Sequence, residues 1–185
     1  IGFVQPSLGE ILFSSLTPTL IVTGTPTEGQ TLHAGVDKLT VTWSLNQSLP
    51  LDTESAYKKI KILLCYAPVS QKDRGWRKTV DNLKKDKTCQ FTITEQTYSS
   101  KGTFEYTVKR TIPTATYFIR AYAFDSSDIE VAYGQSTNPA KATNLFNVEG
   151  ITGLTKPLEI AAGVFSAFSI IALIYFFVVE KRKKH

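Results

Sequence analysis

The sequence predicts an all-β fold, an immunoglobulin- or fibronectin-III-like β-sandwich, followed by one C-terminal transmembrane α-helix. Two observations lead to this prediction. Between residues 17 and 140, short runs of alternating apolar and polar residues are separated by glycine and proline, which is typical of a two-sheet sandwich. Near the C-terminus, residues 160–179 form an unbroken apolar stretch of the length that crosses a bilayer. A chain of 185 residues suits one such domain with an appended anchor.

The strand pattern is clearest in two runs of the chain, residues 39–45 and 60–66. In each run every second residue is apolar, which predicts a strand with one buried face. Trp43 lies on the apolar face of the first run, and the second run begins with lysines on its outward face. Further strands are predicted at residues 90–93, 103–109, 116–124 and 130–133. No segment between residues 17 and 142 has the length and periodicity of a helix.

Two aromatic residues and two flanking segments refine the sandwich prediction. Trp43 on an early strand matches the buried tryptophan of immunoglobulin-like domains. Tyr117, at the start of a late strand, is either a tyrosine corner or an ordinary core tyrosine. The flanking segments lack clean periodicity, so we interpret residues 1–16 as an N-terminal arm or edge strand. Residues 141–157, which contain two glycines and Pro157, are interpreted as a juxtamembrane stalk.

Residues 158–180 are predicted to form the transmembrane helix. Their central part, residues 160–179, has no charge, proline or amide side chain, and a helix of that length spans about 30 Å. A buried core helix is the alternative. The basic tail, residues 181–185, predicts a cytoplasmic C-terminus, because positive residues stay on the cytoplasmic side. Residues 17–140 would then be extracellular, and their export requires a secretion signal ahead of Ile1.

Two cysteines and one sequon are consistent with an exported domain. Cys65 and Cys89 lie in the part of the chain that would be oxidised outside the cell, so we predict a disulfide between them. Two unpaired buried thiols are the alternative. Asn46 begins the tripeptide Asn-Gln-Ser, which is an acceptor pattern for N-glycosylation.

The net charge of +5 is concentrated in two short segments. Residues 72–87 carry seven basic and three acidic side chains, and the C-terminal tail holds most of the remaining excess. The rest of the chain is slightly acidic. This distribution argues against a nucleic-acid-binding domain, which needs a broad basic surface. It places one basic patch on each side of the predicted membrane, where the tail attracts the anionic headgroups of the lipid bilayer.

The sequence contains no catalytic or metal-binding constellation. Its only histidines, His33 and His185, fall on opposite sides of the predicted membrane, so they cannot form one triad or one zinc site. Glycine-rich phosphate loops, HExxH and GxSxG motifs are also missing. We predict that the protein is not an enzyme and has no cofactor or metal, and that His33 is a solvated turn residue.

Recognition features concentrate in the loop at residues 71–78. Trp76 lies there among charged side chains, and exposed tryptophan and arginine are the usual hot-spot residues of protein interfaces. In the alternative, Trp76 folds back to cap the sandwich and the charges are only solvated. An arginine stacked on Trp76 is compatible with both interpretations. The predicted partner-binding residues of the loop are Asp73, Arg74, Trp76, Arg77 and Lys78.

The predicted helix carries small residues at helical spacing. Small side chains let a second helix approach closely, which predicts a helix-packing surface. Lone membrane anchors also contain small residues, so a simple anchor is the alternative. The predicted contact residues are Ala162, Gly163, Ser166 and Ser169.

Four motifs, in this order along the chain, closely resemble the plant accessory proteins of high-affinity nitrate transport. They are LCYAPVSQKDRGWRK at residues 64–78, IPTATYFIRAYA at 112–123, EVAYGQST at 130–137 and FFVVEKRKK at 176–184. The resemblance covers residues 36–185.

This resemblance implies a non-catalytic subunit of the plasma membrane. Members of the family associate, as a hetero-oligomer, with a twelve-helix nitrate transporter of the major facilitator superfamily and are needed for its stable surface presence and activity. The family's loop motif carries over to the partner-binding residues named above. From the residues alone, a single-pass cell-surface adhesion or receptor-like recognition module is the alternative.

Overall fold

The computed structural model describes residues 10–50, 52–152 and 156–183. The chain divides into two compact units between Ile151 and Thr152. The N-terminal unit is built mainly of strands, and the described residues 156–183 of the C-terminal unit form a helix. The strands are β1 (Thr17–Pro18), β2 (Leu20–Gly24), β3 (Thr31–His33), β4 (Lys38–Leu45), β5 (Lys59–Tyr66), β6 (Cys89–Thr97), β7 (Lys101–Thr107), β8 (Ala115–Phe124), β9 (Glu130–Gln135) and β10 (Phe146–Glu149).

The strands form two sheets. In the smaller sheet β4 lies between β2 and β7, and all pairs are antiparallel. In the larger sheet β6, β5 and β8 follow one another, also antiparallel. The far edge of β8 is shared, since β9 pairs with its C-terminal half and β10 with its first residues. β1 then adds parallel to β9, and β3 adds parallel to β10. This arrangement confirms the predicted immunoglobulin- or fibronectin-III-like sandwich.

Trp43 and Tyr117 anchor the core as the sequence predicted. The Trp43 side chain is 1% exposed, lies opposite Gly102 on β7, and donates a hydrogen bond from Nε1 to the carbonyl oxygen of Ser99 at 3.2 Å. The Tyr117 side chain is fully buried, and its hydroxyl donates to the carbonyl oxygen of Pro113 at 2.8 Å. A hydroxyl bonded to the backbone a few residues upstream is the geometry of a tyrosine corner.

At Gly134, strand β9 passes directly against β2 of the other sheet. A Cβ atom there would lie 2.1 Å from the carbonyl oxygen of Leu20, a backbone atom that cannot easily move aside. We expect Gly134→Ala to lower the free energy of unfolding by about 1–3 kcal/mol, the usual cost of overpacking. Chemical denaturation followed by the fluorescence of buried Trp43 measures the change. Gly75→Ala is the matched control, because a Cβ there meets nothing within 4 Å; equal shifts in both variants would contradict the prediction.

The sandwich extends further along the chain than expected. Strand β10 lies inside the segment that was predicted as a stalk, residues 141–157, and that prediction is wrong for residues 146–149. Phe146 and Val148 are each 1% exposed, and Val148 pairs with Leu32 of β3. A four-residue strand is too short to show a period, and its partner lies more than a hundred residues earlier in the chain.

The outer face of the larger sheet is covered rather than solvated. Leu63 and Cys65, which follow the outward lysines of β5, are buried there. Residues 10–16 contribute to this cover: Leu12 makes an antiparallel bridge with Asn82, as an edge strand would, and a 3₁₀ turn, Phe13–Ser15, follows. Residues 1–9 of the predicted arm or edge strand lie outside the described residues. This second apolar cluster consists of Leu16, Leu63, Cys65, Phe118, Tyr122 and Phe124, with Ile11, Phe13, Leu83, Cys89, Tyr133 and Leu145 packed against it.

The C-terminal unit contains one helix, α1 (Lys156–Lys183). Its segment Ile160–Lys183 is long and apolar enough to cross a membrane once, and its side chains are not buried within the protein. This exposure is inconsistent with the alternative of a buried core helix. The predicted helix, residues 158–180, lies within α1, and the basic residues 181–183 belong to its last turn.

Candidate partner interface

The loop between β5 and β6 is tied to the sheet at both of its ends. Cys65 and Cys89 face each other in the β5–β6 register and form a disulfide, as predicted, with their Cα atoms 4.0 Å apart. The loop therefore leaves the sheet and returns to it at a single covalent link. Two 3₁₀ turns shape its first half, Pro68–Ser70 and Gly75–Arg77.

Polar side chains hold the loop in one conformation. The Asp86 carboxylate accepts hydrogen bonds from the Val80 amide at 3.1 Å and from the Thr88 amide and hydroxyl at 3.1 and 2.6 Å. The Gln71 side chain bridges the loop to β5, since it donates to the Tyr66 carbonyl at 2.8 Å and accepts from the Thr79 hydroxyl at 2.8 Å. The loop loses its conformational entropy when the protein folds, so ordering of the loop does not oppose binding.

Arg77 faces inward, so its assignment to the partner-binding residues is wrong. Its side chain is buried, its guanidinium lies 4.3 Å from the centre of the Tyr66 ring, and Nη1 donates to the Ser70 carbonyl at 3.3 Å. The cation therefore stacks on Tyr66 and not on Trp76. In a 3₁₀ turn consecutive side chains point about 120° apart, so Trp76 and Arg77 cannot share one face.

Trp76 is exposed, which rules out the alternative that it caps the sandwich. Its residue is 65% exposed, while its backbone carbonyl is held by Gln90 Nε2 at 2.7 Å. The neighbouring charged side chains also reach solvent. They border a shallow depression that Gln71, Gly75 and Thr79 complete. We define the loop surface as Lys72, Asp73, Arg74, Trp76 and Lys78.

The N-terminal segment, residues 10–16, is hydrogen-bonded to the second half of the loop. The Ser14 amide and hydroxyl both donate to the Asp81 carboxylate at 2.8 Å, and the Phe13 amide donates to the Asp81 carbonyl at 2.7 Å. Lys85 lies 3.0 Å from Glu10, and this contact keeps the pKa of the Glu10 carboxyl below its ordinary value. Lys85 of the basic segment is thus paired with Glu10, while its side chain stays largely exposed.

Sequence reasoning missed a buried cation, Arg120, which lies against the N-terminal segment. Arg120 on β8 is 1% exposed, and its guanidinium lies 4.3 Å from the centre of the Phe13 ring. It donates to the Tyr122 hydroxyl at 3.1 Å and to the Gln135 side chain at 3.0 Å. Burial raises the pKa of Tyr122, and burial together with Arg120 lowers the pKa of Lys141. The signal in the sequence was the near-continuous apolar character of β8, which is typical of a strand covered on both faces.

The small residues of α1 form one stripe along the helix. Ala162, Ser166 and Ser169 follow a four-then-three spacing, which places them on one face. The Ser169 hydroxyl donates to the Phe165 carbonyl at 2.9 Å, so this polar group is satisfied within the helix. A Cβ at Gly163 would meet nothing within 4 Å. The stripe is available for a second helix.

The remaining predicted positions lie away from the loop. Asn46 follows β4 in a turn where its side-chain oxygen accepts from the Ser48 amide at 3.0 Å, and its glycosylation stays a prediction. His33 ends β3 and is exposed, with Nδ1 2.9 Å from Asp37 and Nε2 3.6 Å from Glu149. Within the described part of the chain, no three His, Cys, Asp or Glu side chains gather in a metal-binding arrangement.

Among the residues that the structure describes, an immunoglobulin-like sandwich is followed by one helix of membrane-spanning length, which is the arrangement of a single-span membrane protein. The profile of the family described as "High-affinity nitrate transporter accessory, Ig-like domain" matches residues 13–153, more than half of the chain. The chain belongs to this family.

Two relatives agree with the assignment. The high-affinity nitrate transporter-activating protein 2.1 of Oryza sativa subsp. japonica is 54% identical over 176 residues, which cover 95% of this chain and 84% of that protein. The high-affinity nitrate transporter 3.1 of Arabidopsis thaliana is 53% identical over 156 residues, covering 84% of this chain and 74% of that protein. The family resemblance identified from the four motifs is thereby confirmed.

Proposed function

We propose that the chain is a non-catalytic accessory subunit that binds a high-affinity nitrate transporter of the major facilitator superfamily and stabilises and activates it at the plasma membrane. The observation that carries the proposal is the ordered loop surface, where Trp76 is exposed among cationic side chains. The family and the name of the rice relative support a high-affinity nitrate transporter as the partner.

The loop surface has the properties of a protein interface. An exposed tryptophan supplies a large, rigid contact area, and such residues dominate binding energies when a partner desolvates them. Lys72, Arg74 and Lys78 surround it and are suited to an acidic surface on the transporter, where complementary charge speeds association and selects the partner. The loop is already ordered by its own hydrogen bonds, so little conformational entropy remains to be lost on binding.

The proposed topology places the sandwich outside the cell and α1 across the membrane. The basic residues Lys181, Arg182 and Lys183 at the end of α1 favour a cytoplasmic C-terminus. The disulfide supports an oxidising environment for the sandwich. One apolar helix cannot line a pathway for an anion, which needs several helices around a polar cavity, so the transporter performs the transport.

The accessory subunit acts on its partner by mass action. A protein that binds only the folded transporter raises the stability of that state by an amount that grows with its concentration relative to the dissociation constant. The result is more assembled transporter at the cell surface. No step of this mechanism requires chemistry on nitrate by the accessory chain itself.

Co-expression tests the proposed function. The full chain and a high-affinity nitrate transporter are expressed singly and together, and nitrate uptake and co-purification in mild detergent are measured. We expect uptake and a stable complex only when both are present. Full uptake by the transporter alone, without a complex, would favour the cell-surface recognition module instead.

The stripe of small residues on α1 gives a second prediction. Changing Ala162, Ser166 and Ser169 together to leucine fills the space a partner helix would occupy, and we expect co-purification with the transporter to fall by about tenfold, as expected for loss of roughly 1–2 kcal/mol of helix packing. The matched control changes Val164 and Ile171 to leucine, since these lie on the opposite face of the helix. Unchanged co-purification of the triple variant would make α1 a simple anchor.

A further inference from the structure

Three segments of the chain meet at one end of the sandwich. They are the β3–β4 turn at residues 34–37, the β7–β8 turn at residues 108–114 and the end of β10. The Ala34 amide donates to the Glu149 carbonyl at 2.9 Å, and the Gly35 amide donates to the Val108 carbonyl at 2.6 Å. The Gly150 amide donates to the Thr114 hydroxyl at 2.9 Å. These bonds hold the three segments together at one end of the sandwich.

Two large apolar residues at this end of the sandwich are exposed. Val36 is 73% exposed and Ile151 is 60% exposed. Val36 belongs to the β3–β4 turn and Ile151 follows the end of β10, so both apolar residues are presented to solvent at this end of the sandwich.

Exposed cations lie beside these apolar side chains. Lys109 and Arg110 occupy the β7–β8 turn, and the Arg110 stem passes so close to Gly35 that a Cβ there would lie 2.6 Å from Arg110 Cγ. The carboxylates of Asp37 and Glu149 at this end are directed to His33. Apolar tips next to free cations match the interfacial zone of a bilayer, where acyl chains begin beneath phosphate groups.

The chain itself keeps this surface near the membrane. Only residues 152–155 separate Ile151 from Lys156, the first residue of α1, and a segment of this length reaches no more than about 18 Å even when fully extended. When α1 spans the bilayer, the end of the sandwich that bears Ile151 cannot move far from the lipid headgroups.

We propose that this end of the sandwich is a lipid-contacting surface, in which Val36 and Ile151 enter the headgroup zone of the outer leaflet while Lys109 and Arg110 bind lipid phosphates. The proposal rests on the membrane span of the proposed function but does not require the transporter. Contact with the bilayer restricts the tilt of the sandwich and thereby sets the height at which it presents the loop surface.

Tryptophan scanning of the full chain, reconstituted alone in phosphatidylcholine vesicles, tests the proposal. The lipid is brominated near the head of its acyl chains, so it quenches only indole groups that reach the interface, and each variant is measured against the parent chain. We expect Val36→Trp and Ile151→Trp to be quenched about twofold or more compared with Gln47→Trp, as expected for side chains about 5–10 Å into the headgroup boundary. Gln47 is the matched control because it is exposed and follows the opposite end of β4.

A further variant separates failure of this proposal from failure of the span. Phe168→Trp places an indole within α1 and is quenched wherever α1 crosses the bilayer. If Phe168→Trp is quenched while Val36→Trp and Ile151→Trp behave like Gln47→Trp, the lipid contact is refuted and the span stands. If Phe168→Trp is not quenched, both are refuted. Quenching of Val36→Trp that appears only after the transporter is added would assign the surface to the transporter and also refute the proposal.

Discussion

Replacing Trp76 by alanine is expected to lower the affinity of the chain for the proposed transporter partner by about tenfold or more, since a hot-spot tryptophan contributes about 2 kcal/mol. Trp76 is 65% exposed and its backbone carbonyl is held by Gln90, so the backbone that carries the indole ring is anchored. The measurement is the fraction of the accessory chain that co-purifies with a tagged transporter, together with nitrate uptake by the same cells. Both should fall in parallel.

The control for this variant is another exposed apolar residue. Ile21 on β2 is 48% exposed and lies on the smaller sheet, away from the loop. We expect Ile21→Ala to co-purify like the parent chain. The unfolding midpoint of Trp76→Ala should also match the parent, because surface substitutions away from packed features change stability by no more than about 0.5 kcal/mol. Equal co-purification of both variants would remove Trp76 from the interface.

Removing the disulfide is expected to have the largest effect on stability. In the double variant Cys65→Ser with Cys89→Ser, the free energy of unfolding should fall by about 3 kcal/mol, because a link across a sequence separation of 24 residues removes that much loop entropy from the unfolded chain. The variant also releases the covalent closure of the loop that presents Trp76. We therefore expect weaker association with the transporter as a second consequence.

Urea denaturation of the full chain in detergent, followed by Trp43 fluorescence, measures the stability of the double variant. Trp43 is buried in the sandwich core, so it reports the unfolding of this unit. A reducing agent supplies the matched control, since it should destabilise the parent chain to the level of the variant and leave the variant unchanged. A parent chain that unfolds at the same urea concentration with and without the reducing agent would contradict the prediction.

The local sequence pattern was sufficient to predict the elements whose hydrophobic signal lies within consecutive residues. The alternation around Trp43 predicted β4, and the long apolar stretch predicted α1, because each signal lies within one element. The same holds for the disulfide, since the predicted compartment and the presence of only two cysteines left one possible pair. The tyrosine corner at Tyr117 was one of two alternatives, and only the hydrogen bond to Pro113 decided between them.

Positions that depend on a distant partner were predicted less well. Strand β10 was interpreted as a stalk because its pairing with β3 connects residues far apart in sequence. For residues 10–16 the sequence left an arm and an edge strand as alternatives, because nothing local reveals that Phe13 stacks on Arg120. Arg77 was assigned to the surface with its neighbours, although its stacking on Tyr66 buries it.

The sequence by itself determined the class of this protein: a β-sandwich, one membrane-length helix and membership of the nitrate transporter accessory family, since periodicity, apolar length and motif order are all properties of consecutive residues. The tertiary structure decided which side chains of the basic segment remain available to a partner. Trp76 is exposed while Arg77 packs on Tyr66, because consecutive side chains of a 3₁₀ turn point about 120° apart and cannot share one face. It also brought the segments that carry Val36 and Ile151 to one end of the sandwich, through hydrogen bonds among three separate segments.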